Sequence, residues 1–316
     1  MKCLFTSDLH GLRQLYAQIT GWCRNLHIET LILGGDLLPD APPAFWNHQV
    51  DWIRTQFRAH LRQFRAAGVE QVAFLHGNHD WAGTDLALVE LQDAGELILL
   101  NNCGVQKLQD LHIVSYAYTP PSPFIIKDFE KKDLPNDPPR AAEFEGYAYD
   151  PAAGEPRPVG LEQFLSQRGT IQSDLEGLVL PAQPWILVCH GPPKASGADV
   201  LWVPPKSDLP SHLAIDPEKI QHLHVGSAAI GDFIQRHRPM LSLHGHIHEA
   251  PYLSGRYVHA IGEAHIVNPG QRRDRAHGVA FDANAPTQTL FHTVWGTADG
   301  PATVGETMPP RPSFSI

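Results

Sequence analysis

Five polar clusters, each placed directly after a short apolar run, constrain this chain more than any other feature. Asp8-Leu9-His10 follows Lys2–Ser7, Gly34-Gly35-Asp36 follows Thr30–Leu33, and Gly77-Asn78-His79-Asp80 follows Val69–Leu75. His190-Gly191 follows Trp185–Cys189, and Gly245-His246-Ile247-His248 follows Met240–Leu243. Runs of that length and apolarity read as buried strands. Between the first three, Leu12, Leu15, Tyr16, Ile19, Trp22 and Cys23 repeat at helical spacing, and so do Val50, Ile53, Phe57, Leu61 and Phe64 before Gly68. Strand, helix, strand, helix, strand implies right-handed crossovers and parallel pairing. In such α/β sheets ligands bind beyond the C-terminal strand ends, where loops converge. One geometric rule obeyed by five separate clusters outweighs any single motif.

The rest of the chain is organised around that frame. Leu86–Leu91 reads as a helix and Leu97–Leu100 as a strand. From Tyr118 to Gly160 prolines recur too densely for a regular element, over a length that exceeds an ordinary connection. A lid over the site, a dimer contact and a disordered insertion all fit that segment. A helix is expected over Leu161–Gly177, an irregular stretch over Gly191–Pro217, and a helix over Gly226–His237. Tyr257–Ile261, His265–Val267, Gly278–Phe281 and Thr289–Val294 read as short antiparallel strands. The expectation is one α/β domain over residues 1–299, with the insertion at 118–160 and a loose tail at 300–316.

Carboxylate, imidazole and amide oxygen together suit Mn, Fe, Zn or Ni, and 19 histidines invite a search for ligands. Asp8 and His10 are close enough to grip one ion within a single turn. Glycines beside Asp36, Asn78 and His246 let backbone and metal approach closely. The net charge of −10 argues against general nucleic-acid binding. A small anionic substrate would need a locally positive site, which bound cations provide. The four cysteines lie far apart with no CxxC pair, which fits a reducing cytoplasm. Polar and acidic residues come too early after Met1 for a signal peptide. No run approaches the ~18 apolar residues of a membrane span.

The ordered set Asp-x-His, Gly-Asp, Gly-Asn-His-Asp, His and Gly-His-x-His, from Asp8 to His248, resembles the calcineurin-like metallophosphoesterases; Asn268-Pro269-Gly270 extends the likeness. Around His190 and His246 it looks most like a branch acting on cyclic nucleotides and other phosphodiesters. The resemblance implies a four-layer α-β-β-α sandwich with two mixed central sheets. It implies one metal on Asp8, His10, Asp36 and His248, and a second on Asp36, Asn78, His190 and His246, with Asp36 bridging. Mn or Fe is favoured. His79 would face the substrate as a catalytic residue, with Asp80 orienting it.

The expected reaction is in-line hydrolysis of a phosphate ester, preferably a diester, by a hydroxide held between the metals. The substrate would be small, with a nucleotide among the candidates. A phosphomonoesterase on the same site and a non-catalytic scaffold are the alternatives. A metallo-β-lactamase-type hydrolase would need a His-x-His-x-Asp-His cluster, which is absent. Arg13, Arg272 and Arg273 are weaker candidates for phosphate contact, and His212, His222, His224 and Trp202 for lining the pocket. His76 and His244 read as structural histidines.

Overall fold

A computed structural model describes residues 1–137, 146–182, 184–203 and 221–294. His212 and the tail expected from Gly300 lie outside the described residues, as do residues 138–145 of the proline-rich segment.

Two six-stranded mixed sheets form the centre. The first runs in the order Phe291–Val294, His277–Asp282, Lys2–Thr6, Thr30–Gly34, Gln71–Leu75, Ile98–Leu99. Its last four strands pair parallel, as the strand–helix alternation predicts, and His277–Asp282 pairs antiparallel with Lys2–Thr6. The second runs Val258–Ile261, Ala264–Val267, Leu241–Leu243, Trp185–Cys189, Leu111–Tyr116, Cys103–Leu108.

The central strands of both sheets have no polar face because both of their faces meet a core. Side chains alternate between the two faces of each strand. Leu4, Leu31, Leu33, Val72 and Phe74 turn outward into a cluster with residues of the helices Arg13–Leu26, Arg58–Ala66 and Asp85–Asp93. Cys3, Phe5, Ile32, Ala73 and Leu75 turn inward, in one cluster with Ile113, Ile186, Val188, Leu241 and Leu243 of the other sheet. Val114, Tyr116, Trp185, Leu187 and Cys189 face out from the second sheet, clustered with residues of the helices Ile171–Glu176 and Ala228–His237. Helices, sheet, sheet and helices make the four-layer sandwich.

Three local expectations are corrected. The helix expected over Leu161–Gly177 is two, Leu161–Ser166 and Ile171–Glu176. The break falls at Gly169, whose φ is +70°, and Thr170 opens the second helix with a reciprocal cap to Ser173. Proline density does not prevent order in the 118–160 segment. Glu155–Val159 carries Pro156 and Pro158 yet pairs antiparallel with Gly146–Asp150. The two prolines stand two residues apart in a two-stranded sheet, so both nitrogens can face its unpaired edge. The stretch expected to be irregular after Gly191 contains the strand Val200–Val203, paired with Gln221–His224.

Candidate active site

The C-terminal ends of the central strands meet along the seam between the sheets. Lys2–Thr6, Thr30–Gly34 and Gln71–Leu75 lead into Asp8, His10, Asp36 and Asn78, while Trp185–Cys189 and Leu241–Leu243 lead into His190, His246 and His248. The turns after these strands are strained. Asp8, His10, Asp36 and His246 have φ of 59°, 45°, 53° and 67°, a region that residues with a Cβ adopt mainly at sites where the surroundings enforce it. Here the surroundings are neighbouring turns. Asp8 N donates to Gly35 O and His10 N to Asp36 O, both at 2.9 Å, and Gly245 N donates to His190 O at 3.0 Å. Across the seam, His246 N donates to Asp8 Oδ1 at 2.9 Å. His190 Nδ1 lies 3.0 Å from Gly34 O, which leaves Nε2 as the nitrogen facing the site.

Glycines make this closeness possible. A Cβ on Gly77 would lie 2.2 Å from Asp36 Oδ1, one on Gly245 2.5 Å from Asp8 Oδ2, and one on Gly35 2.4 Å from His190 Nδ1. Asn268 braces the same region: its Nδ2 donates to the carbonyls of Ala198, Gly245 and Ile247. That gives the Asn268-Pro269-Gly270 motif a physical task, holding the turn that bears His246.

All seven expected ligands gather here, in two groups. Asp8, His10 and His248 present ligand atoms within 4.8 Å of one another, as do Asp36, His190 and His246. His10 Nε2 and His248 Nε2 are 3.4 Å apart, and His248 Nε2 is 3.4 Å from Asp8 Oδ1. His190 Nε2 is 3.3 Å from Asp36 Oδ2 and 3.1 Å from Asn78 Oδ1. Two imidazole nitrogens converging this closely require a proton or cation between them. Asn78 is fully buried, and its Nδ2 has no partner while its oxygen faces His190, so the amide is arranged for its oxygen. The donor set and its convergence fit divalent transition-metal ions.

Buried charge is tolerated here only because it is compensated. Burial raises the Asp8 and Asp36 carboxyls, but His248 beside Asp8 and His190 beside Asp36 outweigh it and hold both below the usual carboxylate range. Burial acts against protonating His190 as well, yet Asp36 lifts it to about 9. His246, with burial and His190 both against a second charge, falls to about 3. A cation entering the cluster would replace protons held on imidazole, as metal sites generally do.

The expected role of Asp80 is corrected. Its carboxylate accepts from the backbone N–H groups of Leu37, Leu38 and Gly77, at 3.2, 3.0 and 2.9 Å, and so ties the Asp36 turn to the Asn78 turn. The carboxylate on His79 belongs to Asp40, whose Oδ1 lies 3.2 Å from His79 Nδ1 and 3.0 Å from His10 Nδ1. Burial works against a charged His79, but Asp36 and Asp40 outweigh it and raise the imidazole to about 9. Sequence adjacency pointed to Asp80. The available signal for Asp40 was a second carboxylate four residues past Asp36, in the same loop.

A cleft of about 460 Å³ opens over the centre. Asp8, His10, Asp36, His79, His246 and His248 contribute to it. Pro120, Pro121, Pro123 and Phe124 make one wall, and Glu249, Gln271, Arg272 and Arg273 another. Part of the proline-rich segment thus lines the site. Arg272 is paired with Asp274, and Arg13 is exposed outside the cleft lining. His244 is a structural histidine, with its ring nitrogens on Ser242 Oγ and Gly191 O. His76 is buried with Nδ1 on Asn102, and His224 pairs with Asp199. Trp202 is half-buried and outside the cleft lining, while its neighbour Leu201 is part of it. The side chain of His222 lies outside the described residues.

A model of the calcineurin-like phosphoesterase family matches residues 1–250. No curated protein matches the chain. Among solved structures, one covers 93% of this chain and 99% of its own at 13% identity, with a TM-score of 0.55. TT1561 of Thermus thermophilus covers 92% and 97% at 15% identity, with a TM-score of 0.50. Both share the fold. An archaeal phosphodiesterase aligns over 93% of this chain and 99% of its own at 11% identity, with a TM-score of 0.42.

Proposed function

The chain belongs to the calcineurin-like phosphoesterase family, and on that premise we propose that it is a dinuclear metal-dependent phosphodiesterase acting on a small, nucleotide-like substrate. The observation that carries this reading is the pair of candidate ligand groups, Asp8-His10-His248 and Asp36-His190-His246, of which all but the buried His190 line one cleft together with His79. Asp36 would bridge the two, with Asn78 completing the second. Two divalent ions held there, Mn or Fe in preference to Zn or Ni, supply the positive charge that activates water near neutral pH and offsets charge on the phosphoryl oxygens.

The residues of the chain do the rest. His79, with Nδ1 on Asp40, presents Nε2 to the cleft and delivers a proton to the leaving oxygen. Asp40 fixes the tautomer and ring orientation. The strained turns keep the donors in place before substrate arrives, so little reorganisation is needed at the moment of reaction. A diester is favoured over a monoester because the cleft lining reaches beyond the candidate ligands to Pro120, Pro121, Pro123 and Phe124 and to Gln271, Arg272 and Arg273, surface that a second ester group would contact. The four cysteines are free thiols, which supports a cytoplasmic setting. No helix among the described residues is long and apolar enough to cross a membrane.

The test is hydrolysis of bis(p-nitrophenyl) phosphate by metal-stripped protein, with Mn²⁺ restored and a chelator control. Metal-dependent turnover exceeding that on p-nitrophenyl phosphate supports the proposal. Activity on the monoester alone moves the substrate class to phosphomonoesters. No turnover with Mn²⁺, Fe²⁺, Zn²⁺ or Ni²⁺ favours the scaffold alternative.

A further inference from the structure

Phe124 is an apolar side chain held partly in water by a rigid mount. It is 45% exposed, as is its neighbour Ile125. The Phe124 centroid lies 4.4 Å from that of His79, edge to face. Beneath the turn, Lys127 and Glu130 are fully buried and paired at 3.0 Å. Lys127 Nζ also donates to Ser122 O at 2.7 Å, and Ser122 Oγ donates to Glu130. On either side, Tyr147 N donates to Ile125 O and Lys127 N to Tyr147 O, while Ile126 packs with Trp81 and Ala41. Gly146 leaves the room that the Lys127 stem occupies, since a Cβ there would lie 2.5 Å from Lys127 Cγ.

Burying an ion pair is costly and weak as a source of stability. Here the pair fixes a turn whose tip is apolar, and that tip stands over the histidine that serves the leaving group. Pro120, Pro121 and Pro123 continue the wall with rigid rings, and Leu201 and Val225 add apolar surface within the cleft. Elsewhere in the lining, Glu249, Gln271, Arg272 and Arg273 are polar. The two ester groups of a diester would therefore meet unlike surroundings.

Resting on the phosphodiesterase reading, we infer that Phe124 is a specificity-determining residue that stacks a planar aromatic ring on the leaving-group side of the substrate. Aromatic faces recognise aryl groups and nucleobases by the same stacking, tolerant of ring identity. The prolines and the buried brace set the slot in advance, so little ordering is needed when the ring enters.

Binding to the full-length, Mn²⁺-loaded protein by calorimetry tests the inference without requiring turnover. Benzylphosphonate carries a ring where the leaving group would sit, and methylphosphonate does not. The wild type should bind benzylphosphonate at least about tenfold more tightly, and Phe124→Ala should abolish that preference while binding methylphosphonate equally well. Phe124→Leu, which keeps apolar bulk without the ring, should retain an intermediate preference. Equal affinities in the wild type, or a preference that survives Phe124→Ala, would overturn the inference. A nucleoside 5′-phosphonate separates the ring sources, because tighter binding than benzylphosphonate, also lost in Phe124→Ala, identifies a nucleobase. Turnover on bis(p-nitrophenyl) phosphate is scored separately, so failure of the hydrolase reading is distinguishable from failure of the slot.

Discussion

Replacing Gly77 by alanine should damage the metal centre through a single methyl group. The new Cβ would lie 2.2 Å from Asp36 Oδ1, 2.3 Å from Asp36 N and 2.8 Å from Asp36 Cγ. Carbon contacts settle at about 3.5–4.0 Å, so the two loops must separate by roughly 1 Å. Neither neighbour yields easily. One is backbone, and the other accepts from His79 N at 2.7 Å. Gly77 is not among the residues with positive φ, so an alanine there meets no backbone penalty and the cost is steric. Overpacking of this kind costs about 1–3 kcal/mol, and displacing a catalytic group by about 1 Å costs roughly 10²-fold in rate. Bound metal by mass spectrometry, unfolding temperature and turnover are measured together. The expectation is a modest loss of stability, loss of most bound metal and a turnover at least about 100-fold lower. Gly160→Ala is the control: nothing lies within 4 Å of its Cβ position and its φ is −73°, so no clash arises, and loss of the glycine N-cap should cost no more than about 1 kcal/mol with metal content unchanged. A Gly77→Ala protein with full metal content and full turnover would refute the close-approach argument.

His79→Ala should lower turnover by roughly 10²–10⁴ while leaving metal content intact; metal loss would instead mark His79 as a ligand. Asp40→Asn should cost less, roughly tenfold, and chiefly in kcat, because it misorients His79 without removing it; an unchanged kcat would remove Asp40 from the mechanism. Asp36→Asn should lose both metals by mass spectrometry, and retention of two would eliminate the bridging role. Glu130 supplies a pH prediction. Burial lifts its carboxyl to about 7, against the pull of Lys127. The folded state therefore holds this proton more tightly than the unfolded one. Its contribution is fully present below about pH 4.5 and is lost as pH rises to about 7, by about 3 kcal/mol. Glu130→Gln removes that slope, so denaturation curves of the two proteins from about pH 5 to 8 should converge or cross; a constant difference would refute it.

Legibility in the sequence followed locality. The inward and outward faces of Leu4 and Phe5, or Leu31 and Ile32, follow from alternation alone, and each candidate ligand is visible in the sequence because it follows the end of its own strand. Asp40 was missed because its partner, His79, arrives from another strand end, and no local pattern encodes that approach. Asp80 was misread for the converse reason: next to His79 in the chain, it turns back toward the Leu37 and Leu38 amides. The helix break at Gly169 relies on a capping pair, Thr170 with Ser173, outside the usual acidic form. The wall made by Pro120–Phe124 is legible as proline-rich, but its position over His79 depends on a buried ion pair that sequence spacing does not announce.

The strand leading into the first candidate ligands is held by one of the last strands of the described residues. Lys2–Thr6 pairs with His277–Asp282, and Asp8 meets His248. During synthesis, then, the first half of the proposed metal centre emerges long before its partners exist. At roughly 5–20 residues per second, His248 follows Asp8 by roughly ten to fifty seconds. Through that interval Lys2–Thr6 has an unpaired edge and Asp8 lacks its histidine. Contacts of such separation form slowly. On the proposed ligand set, metal capture would accordingly be a late event in the life of this protein: it would wait for His248 and would not seed the folding of the segments made before it.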